Sequence, residues 1–194
     1  MNSASAVSPL HAGARSTVVR TAVTIVFGSL LVALCAHVSI PLWFTPVPLT
    51  LQTFAVLFLG LVLSPAAAAA TLLLYLAEGA TGLPVFSPYG PGGFLHLFGP
   101  TGGYLLSYPF AAALTSFLRR RFAGGGFAPS LLAAASGSGV ILLCGAAWLA
   151  ILTHQSAEAV LALAVLPFLA GDTLKVAAAA GAAAGLRRLR LRRS

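Results

Sequence analysis

The feature that most restricts this chain is a long stretch without charge: residues 21–77 contain no aspartate, glutamate, lysine or arginine. Across the whole chain of 194 residues, 59% are hydrophobic and 7% are charged. A soluble domain carries about 25% charged residues, because its surface faces water. The sequence therefore excludes a soluble domain and predicts a polytopic membrane protein.

Charge placement and cysteine usage exclude several classes of function. The formal net charge is +8, but the basic residues stand at the ends of apolar segments and form no basic face with interleaved aromatic residues for nucleic acid. Cys35 and Cys144 lie inside apolar runs without metal-ligand spacing, and His37, His96 and His154 are equally scattered. We therefore predict no bound metal and no cofactor.

Apolar runs between turn-forming residues predict six membrane spans. The candidate spans cover residues 18–40, 49–63, 66–77, 101–118, 131–152 and 160–186. The arginines near the N-terminus, at 119–121 and at 187–193 all stay cytoplasmic when a turn at Ser64 and Pro65 separates the second span from the third. The predicted fold is all-α: a multi-pass protein of the cell's inner (plasma) membrane, with six transmembrane helices and both termini cytoplasmic.

The sequence divides into three parts. Residues 1–17 are rich in serine, alanine and glycine, which predicts a disordered cytoplasmic leader. Residues 18–186 form the six-helix membrane domain, and residues 187–194 form a basic cytoplasmic tail. The chain has no internal repeat and no nucleotide-binding motif, so uphill movement of a solute would need energy from a partner or an ion gradient.

The predicted outer connections are residues 41–48, 78–100 and 154–159. The middle connection combines glycines and prolines with aromatic residues, a composition typical of a structured cap over a pocket rather than a linker. In the first connection, Trp43 and Phe44 are either a lid over that pocket or anchors in the membrane interface. The sequence leaves both interpretations open.

Asp172 and Lys175 are charged residues inside a predicted span, where each costs about 2.5–3.5 kcal/mol at a helix centre. Their spacing places them on one helix face, in the outer half of the span. Pro167 and Gly171 loosen the helix before them and can free backbone carbonyls beside a cavity. One interpretation is a ligand site in which Asp172 accepts from a neutral N–H group and Lys175 pairs with an anionic group. The alternative is a mutual ion pair that stabilises the bundle.

Other polar and small residues of the spans allow both functional and packing roles. Gln52 and Thr53 begin the second span, where they contact either a neighbouring helix or the ligand. Ser29 and Ala33 are spaced for close helix approach, within the chain or against another membrane protein. No span contains a nucleophile beside a base or a pair of carboxylates, so we predict that the chain is not an enzyme.

Several motifs occur in an order and at spacings that resemble one known family. They are Ser39-Ile40-Pro41, Thr45-Pro46-Val47-Pro48-Leu49-Thr50-Leu51-Gln52-Thr53, Gly82-Leu83-Pro84-Val85-Phe86, Gly99-Pro100-Thr101-Gly102-Gly103-Tyr104-Leu105 and Gly171-Asp172-Thr173-Leu174-Lys175. The chain resembles the BioY family, the biotin-specific S component of energy-coupling-factor (ECF) vitamin transporters. The motifs cover most of the chain.

The resemblance implies a membrane subunit that captures biotin from outside and releases it inward when coupled to a transmembrane coupling subunit and a pair of ATPases. It implies that Asp172 and Lys175 contact the polar ends of biotin, and that Ser29 and Ala33 dock the coupling subunit. The other expected binding residues are apolar walls and supporting donors: Phe86, Tyr89, Tyr104, Gln52 and Thr101, with Ser87 or Tyr89 giving a further polar contact. Membrane lipids are expected partners, and a homo-oligomer is allowed.

Two rival functions stand beside this one. The same scaffold could bind another small vitamin, or the chain could be an integral-membrane enzyme of lipid or prenyl metabolism. Such an enzyme would need clustered acidic residues for a metal-bound diphosphate. The three acidic residues of this chain stand well apart, which argues against the enzyme.

Overall fold

The computed structural model describes residues 10–122 and 126–192, and this part of the chain is mostly helical. The helices are α1 (Leu10–His37), α2 (Gln52–Val62), α3 (Pro65–Ala80), α4 (Gly102–Arg121), α5 (Phe127–Thr153), α6 (Ala157–Ala164) and α7 (Leu166–Leu191). A 3₁₀ helix, Gly93–Phe98, lies between α3 and α4. Two short strands, β1 (Ser39–Ile40) and β2 (Leu49–Thr50), pair antiparallel, a ladder that the sequence analysis did not predict.

Two of the described helices are long and apolar enough to cross a membrane, namely Thr17–His37 within α1 and Phe127–Thr153. A third crossing results if α6 and α7, which meet at a bend of 42°, are counted as one span. Helices α2 and α3 are apolar but shorter, with 11 and 16 residues. The helical class and the membrane character agree with the sequence, and the number of full spans identified by length and composition is smaller than six.

Both ends of the helical domain extend beyond their predicted boundaries. Helix α1 begins at Leu10, although the sequence predicts a disordered leader through residue 17. Alanine and arginine in this segment favour helix, which explains the earlier start. Residues 1–9 of the predicted leader lie outside the described residues. Helix α7 continues to Leu191, so most of the predicted basic tail is helical, with residues 193–194 outside the described part.

The turn between α2 and α3 lies where the sequence predicts it. The Ser64 hydroxyl accepts a hydrogen bond from the Ala67 backbone N–H at 3.3 Å, and Pro65 occupies the first helical position, where a missing N–H costs nothing. Helix α2 begins later than predicted, because Leu49 and Thr50 pair with β1 instead of joining the helix. This ladder fixes the point at which the chain enters α2.

The sixth predicted span is two helices, α6 and α7, rather than one. Pro167 has no N–H to donate to the Leu163 carbonyl, so the regular helical hydrogen bond is lost there. The Thr45 hydroxyl donates to this carbonyl at 2.8 Å instead. The Tyr104 hydroxyl donates to the next carbonyl, that of Ala164, at 2.7 Å. Side chains from two distant segments therefore stabilise the break.

Helices α1 and α3 share a polar contact inside the bundle. The Ser29 hydroxyl lies 3.1 Å from Glu78 Oε1, and Ser29 is fully buried. Ala33 is also buried, with 8% of its surface exposed. Because both residues pack inside the bundle, their burial gives no support to a docking role, and that role stays a prediction. The exposed face of α1 carries larger apolar residues such as Phe27 and Leu34.

Glycines allow α4 and α5 to pack at close range. A Cβ at Gly103 would collide with Trp148, and a Cβ at Gly145 would collide with the ring of Tyr104. The Trp148 indole N–H donates to the Gly99 carbonyl at 2.9 Å, which anchors the loop before α4. The Gly-Gly-Tyr sequence of α4 is therefore explained by helix packing, and this packing holds Tyr104 against the interior.

Candidate binding site

A cavity lies among α2, α4, α5 and α7, beneath the connection between α3 and α4. Its empty volume is about 500 Å³, including space open to solvent at the mouth. Apart from the two tyrosines, more than half of its lining residues are polar or charged and the others are apolar, a mixture suited to a ligand with polar and apolar parts. The lining residues are Val47, Pro48, Thr50, Gln52, Thr53, Ser87, His96, Thr101, Tyr104, Leu105, Tyr108, Ile141, Leu142, Phe168, Asp172 and Lys175.

Asp172 and Lys175 both line the cavity and form an ion pair, with Lys175 Nζ 2.9 Å from Asp172 Oδ1. The Thr53 hydroxyl donates to the same oxygen at 3.4 Å. Within the described residues, Asp172 Oδ2 takes part in no hydrogen bond. The structure therefore agrees with both the ion pair and the ligand site that the sequence allows. The two charges pair with each other, and Asp172 Oδ2 can still accept a hydrogen bond from a ligand in the cavity.

Gln52 is held at the cavity wall by both ends of its amide. Its Nε2 donates to the Tyr75 hydroxyl, which in turn donates to the Val85 carbonyl at 3.1 Å. The Thr50 hydroxyl donates to Gln52 Oε1 at 3.1 Å. The orientation of the amide follows from this network, which uses one of the two N–H groups of Nε2.

The connection between α3 and α4 supplies Ser87 and His96 to the cavity. Tyr89 is 43% exposed and lines an outer cleft instead, together with Gly90 and Pro91. Of the two residues between which the sequence could not decide, Ser87 is thus the one at the cavity. His96 also lines that outer cleft, so its ring separates the cavity from the outer surface.

Phe86 packs behind the cavity wall and does not line it. Its ring centroid lies 5.5 Å from that of Tyr75 and 5.0 Å from that of His96. Gly79 leaves the space for this ring, because a Cβ there would collide with it. Phe86 therefore supports two residues of the site rather than forming the apolar wall predicted for it.

Thr101 and Tyr104 lie at the cavity, in the positions where the sequence places them. Because the Tyr104 hydroxyl donates to the Ala164 carbonyl, this residue offers its ring rather than a polar group. The ring centroid of Phe168 lies 6.2 Å away, and Tyr108 extends the aromatic surface. One wall of the cavity is therefore aromatic.

Trp43 and Phe44 stand apart from the cavity lining. Trp43 is 95% exposed and Phe44 is 41% exposed, and their rings contact each other edge to face at 5.4 Å. Val47 and Pro48 are the residues of this loop that reach the cavity. The lid and the interfacial anchor both stay predictions for the Trp-Phe pair.

Metal ligands do not gather at this cavity. In the described ranges, no group of three or more histidine, cysteine, aspartate or glutamate side chains is arranged to hold a metal ion. The groups that do converge offer hydrogen bonds and charge pairing. Such an arrangement is suited to recognising a small molecule with polar and apolar parts.

Comparison with known proteins identifies the family. The BioY family model matches residues 4–192. The chain belongs to the BioY family. It is 39% identical over 134 residues to the probable biotin transporter BioY of Pyrococcus horikoshii, covering 69% of this chain and 76% of that protein. It is 34% identical over 163 residues to the biotin transporter BioY of Thermotoga maritima, covering 84% and 93%.

A solved structure has the same fold as this BioY-family chain. The crystal structure of the S-component for biotin from an ECF-type ABC transporter superposes with a TM-score of 0.81 at 25% identity, covering 89% of this chain and 93% of that chain. The family resemblance seen in the sequence is confirmed. The relatives are named as transporters, in agreement with the prediction that the chain is not an enzyme.

Sequence reasoning missed several residues at or behind the cavity of this BioY-family chain, and Phe168 of the aromatic wall is one of them. Tyr75 orients Gln52, and His96 and Tyr108 line the wall. An aromatic residue in an apolar helix looks the same whether it packs in the core or faces a ligand. His96 carried a usable signal, because it is a polar residue within an aromatic, glycine-rich loop.

Proposed function

We propose that this chain is the biotin-binding membrane subunit of an ECF-type transporter, which captures biotin from outside the cell and releases it inward when coupled to an ATP-driven module. The named relatives and the solved S-component support this assignment. The observation that carries it is a buried acid–base pair facing a cavity that is otherwise lined by aromatic, apolar and hydrogen-bonding side chains.

The chemistry of biotin matches the cavity. The ureido group has two N–H donors beside one carbonyl acceptor, and Asp172 and Lys175 present an acceptor beside a donor. Their 2.9 Å contact makes it difficult for them to hold opposite ends of one extended ligand. We therefore assign both to the ureido group, with Gln52 as a supporting donor. This changes the expectation that Lys175 pairs with the carboxylate.

The rest of the ligand is assigned by polarity. The apolar bicycle packs on the aromatic wall formed by Tyr104, Tyr108 and Phe168, because these rings offer a dry surface. The carboxylate points toward the mouth, on the side of Ser87 and Thr101, because these two residues line both the cavity and neighbouring clefts. Charge at the mouth keeps contact with water, which avoids the cost of burying an unpaired carboxylate.

Calorimetric titration of the purified full chain with biotin tests the proposal. We expect tight binding to the wild type and a loss of about tenfold to a hundredfold in Asp172→Asn, because a charge-assisted hydrogen bond contributes about 1.5–3 kcal/mol. Glu158→Gln removes the same charge at an exposed position outside the cavity and serves as the matched control. Absence of binding to folded wild type would refute biotin as the ligand.

We further propose six membrane crossings with both termini cytoplasmic, α6 and α7 together making the last one, in the inner membrane of the cell. Arg119, Arg187 and Arg190 line one common cavity, which supports placing these ends of α4 and α7 on the same side. Positively charged ends favour the cytoplasmic side. The membrane domain then covers residues 18–186, and the basic tail follows it.

The proposed partners are a transmembrane coupling subunit and a pair of ATPases. The chain has no nucleotide-binding motif of its own, so energy for release has to come from outside it. Docking of the coupling subunit at Ser29 and Ala33 stays a prediction, to which their burial gives no support. Lipids surround the exposed apolar helix faces, and self-association is compatible with the same surfaces.

Another small vitamin on the same scaffold is the second candidate. The aromatic wall and the acid–base pair would also accept a different amphiphile with a cyclic urea or amide. Titration with other vitamins under the same conditions separates the two. Tighter binding of any of them than of biotin would favour this alternative.

A further inference from the structure

Tyr75 of α3 is a fully buried tyrosine that lies behind the wall of the biotin cavity. Its hydroxyl joins two segments that are far apart in the chain. It donates to the Val85 carbonyl at 3.1 Å, in the connection between α3 and α4, and it accepts from Gln52 Nε2 at the beginning of α2. One hydroxyl therefore contacts both a residue of the cavity wall and the connection that lies over the cavity.

The direction of these two hydrogen bonds makes them depend on each other. A tyrosine hydroxyl has a single proton. Because Tyr75 gives this proton to the Val85 carbonyl, its oxygen is the atom left to accept from the Gln52 amide. A hydroxyl that donates is also a better acceptor, so each bond strengthens the other. The two bonds therefore form one cooperative chain from Gln52 to Val85.

The residues that follow Val85 bring the same connection to the cavity. Phe86 packs edge to face on the Tyr75 ring, with centroids 5.5 Å apart and an interplanar angle of 79°. Ser87 lines the cavity, and so does His96, whose ring contacts that of Phe86. Tyr75 thus holds this part of the connection twice, by its hydroxyl at Val85 and by its ring at Phe86.

We propose that Tyr75 is a positioning residue whose hydroxyl couples ligand binding at Gln52 to the packing of the connection over the cavity. The inference rests on the proposed function, because it requires the ligand to bind the Gln52 amide. A bound ligand restricts rotation of this amide and keeps Nε2 on the Tyr75 oxygen. The occupied oxygen in turn keeps the hydroxyl proton on the Val85 carbonyl. Such coupling is reciprocal, so loss of the hydroxyl weakens ligand binding.

Calorimetry and amide hydrogen exchange on the full chain with biotin test the coupling. Tyr75→Phe removes the hydroxyl and keeps the ring on Phe86. We expect it to weaken biotin binding by about tenfold, because Gln52 Nε2 and the Val85 carbonyl both lose a partner. Saturating biotin should slow exchange in residues 83–87 of the wild type by about threefold or more. Most of this slowing should be lost in Tyr75→Phe at equal saturation.

A double-mutant cycle with Gln52→Leu tests whether the two side chains act together. Gln52→Leu leaves the bond from Tyr75 to Val85 in place but removes the donor that faces the ligand. Biotin should therefore slow exchange in residues 83–87 of this variant little. Tyr75→Phe in the Gln52→Leu background should cost less than about threefold in affinity, because the acceptor it removes no longer has its donor.

Thr71→Val is the matched control. It removes another fully buried hydroxyl of α3, one that donates to the Ala67 carbonyl of its own helix at 2.8 Å. It should change the affinity for biotin by less than about twofold, because Thr71 does not reach the cavity or the connection through this bond. Circular dichroism checks the folding of every variant, and Gln52→Leu still tests the coupling if Tyr75→Phe does not fold.

In a wild type that binds biotin, several results would overturn the coupling. They are unchanged affinity in Tyr75→Phe, an equal loss in Thr71→Val, additive losses in the cycle with Gln52→Leu, or equal slowing of exchange in the wild type and Tyr75→Phe. Each of them would leave biotin as the ligand. Absence of binding to the folded wild type would instead refute the proposed function and the coupling together.

Discussion

Lys175 is the residue whose role most depends on a single contact, its 2.9 Å approach to Asp172. Because the ureido group is common to biotin and biotin amide, we expect Lys175→Ala to weaken both ligands by the same factor. Calorimetric titration of the variant with each ligand measures the two losses, with Arg188→Ala as a control for loss of one positive charge. A larger loss for biotin than for its amide would assign Lys175 to the carboxylate instead.

Glu78 is a second acidic side chain inside the bundle, and only one of its two carboxylate oxygens takes part in a hydrogen bond among the described residues. Its Oε1 contacts the Ser29 hydroxyl, whereas its Oε2 is buried without a partner among the described residues. An unpartnered carboxylate oxygen is more costly than a neutral amide. Glu78→Gln should therefore unfold at the same temperature as the wild type or higher.

Glu78→Ala is the contrasting variant at the same position. It removes the contact between α1 and α3 and should destabilise the protein by about 1 kcal/mol. Thermal unfolding in detergent measures both variants. A lower unfolding temperature for Glu78→Gln than for the wild type would show that the negative charge itself is required.

At the residue scale, charge was the most informative part of the sequence. Asp172 and Lys175 are costly in a membrane span, so their presence in one already pointed to a cavity. The positions of Phe86 and Tyr89 were harder to predict, because an aromatic ring is equally stable in a cavity wall, behind that wall or at an outer cleft. Only the path of the loop between α3 and α4 separates these cases, and that path depends on long-range contacts such as Phe86 with Gly79.

At the scale of helices, the break between α6 and α7 should depend on the Thr45 hydroxyl for its stability. Thr45→Val keeps the shape of the side chain but leaves the Leu163 carbonyl without its donor, which should cost about 1–3 kcal/mol. Thermal unfolding measures the loss. Thr173→Val is the control, because the Thr173 hydroxyl contacts a carbonyl of its own helix, that of Leu169. Equal effects of the two substitutions would argue that Thr45 does not stabilise the break.

The sequence predicted the ends of helices correctly where neighbouring residues determine them. The Ser64-Pro65 turn follows from a cap and a proline, and both act within one helical turn. Pro167 predicted a loosened helix, but the position of the break depends on Thr45 and Tyr104, which are distant in sequence. The ladder of β1 and β2 was missed because strands of two residues have no periodicity to detect.

At the scale of the whole molecule, ligand binding should raise the stability of the fold. A ligand at a hundred times its dissociation constant contributes about 2.7 kcal/mol. We therefore expect saturating biotin to raise the unfolding temperature of the wild type by several degrees and to have little effect on Asp172→Asn at the same concentration. Differential scanning fluorimetry measures both shifts. An equal shift in the two proteins would place the stabilising site elsewhere.

Composition was enough to predict a helical membrane protein. It was not enough to predict which face of each helix lies inside the bundle. Apolar content predicts a membrane domain wherever the helices lie, so it cannot tell lipid-facing from interior residues. Ser29 and Ala33 illustrate this: small residues suit both a docking face and a close internal contact, and α3 occupies the space beside them.

The ion pair of Asp172 and Lys175 also has an electrical consequence. Because the pair is neutral in sum and stays with the protein, the proposed function implies that the charge crossing the membrane in each cycle is that of the biotin carboxylate. Moving one negative charge into an inside-negative cell requires about 2.3 kcal/mol for each 100 mV of membrane potential. The proposed uptake of biotin therefore works against the membrane voltage, and the voltage itself cannot drive it.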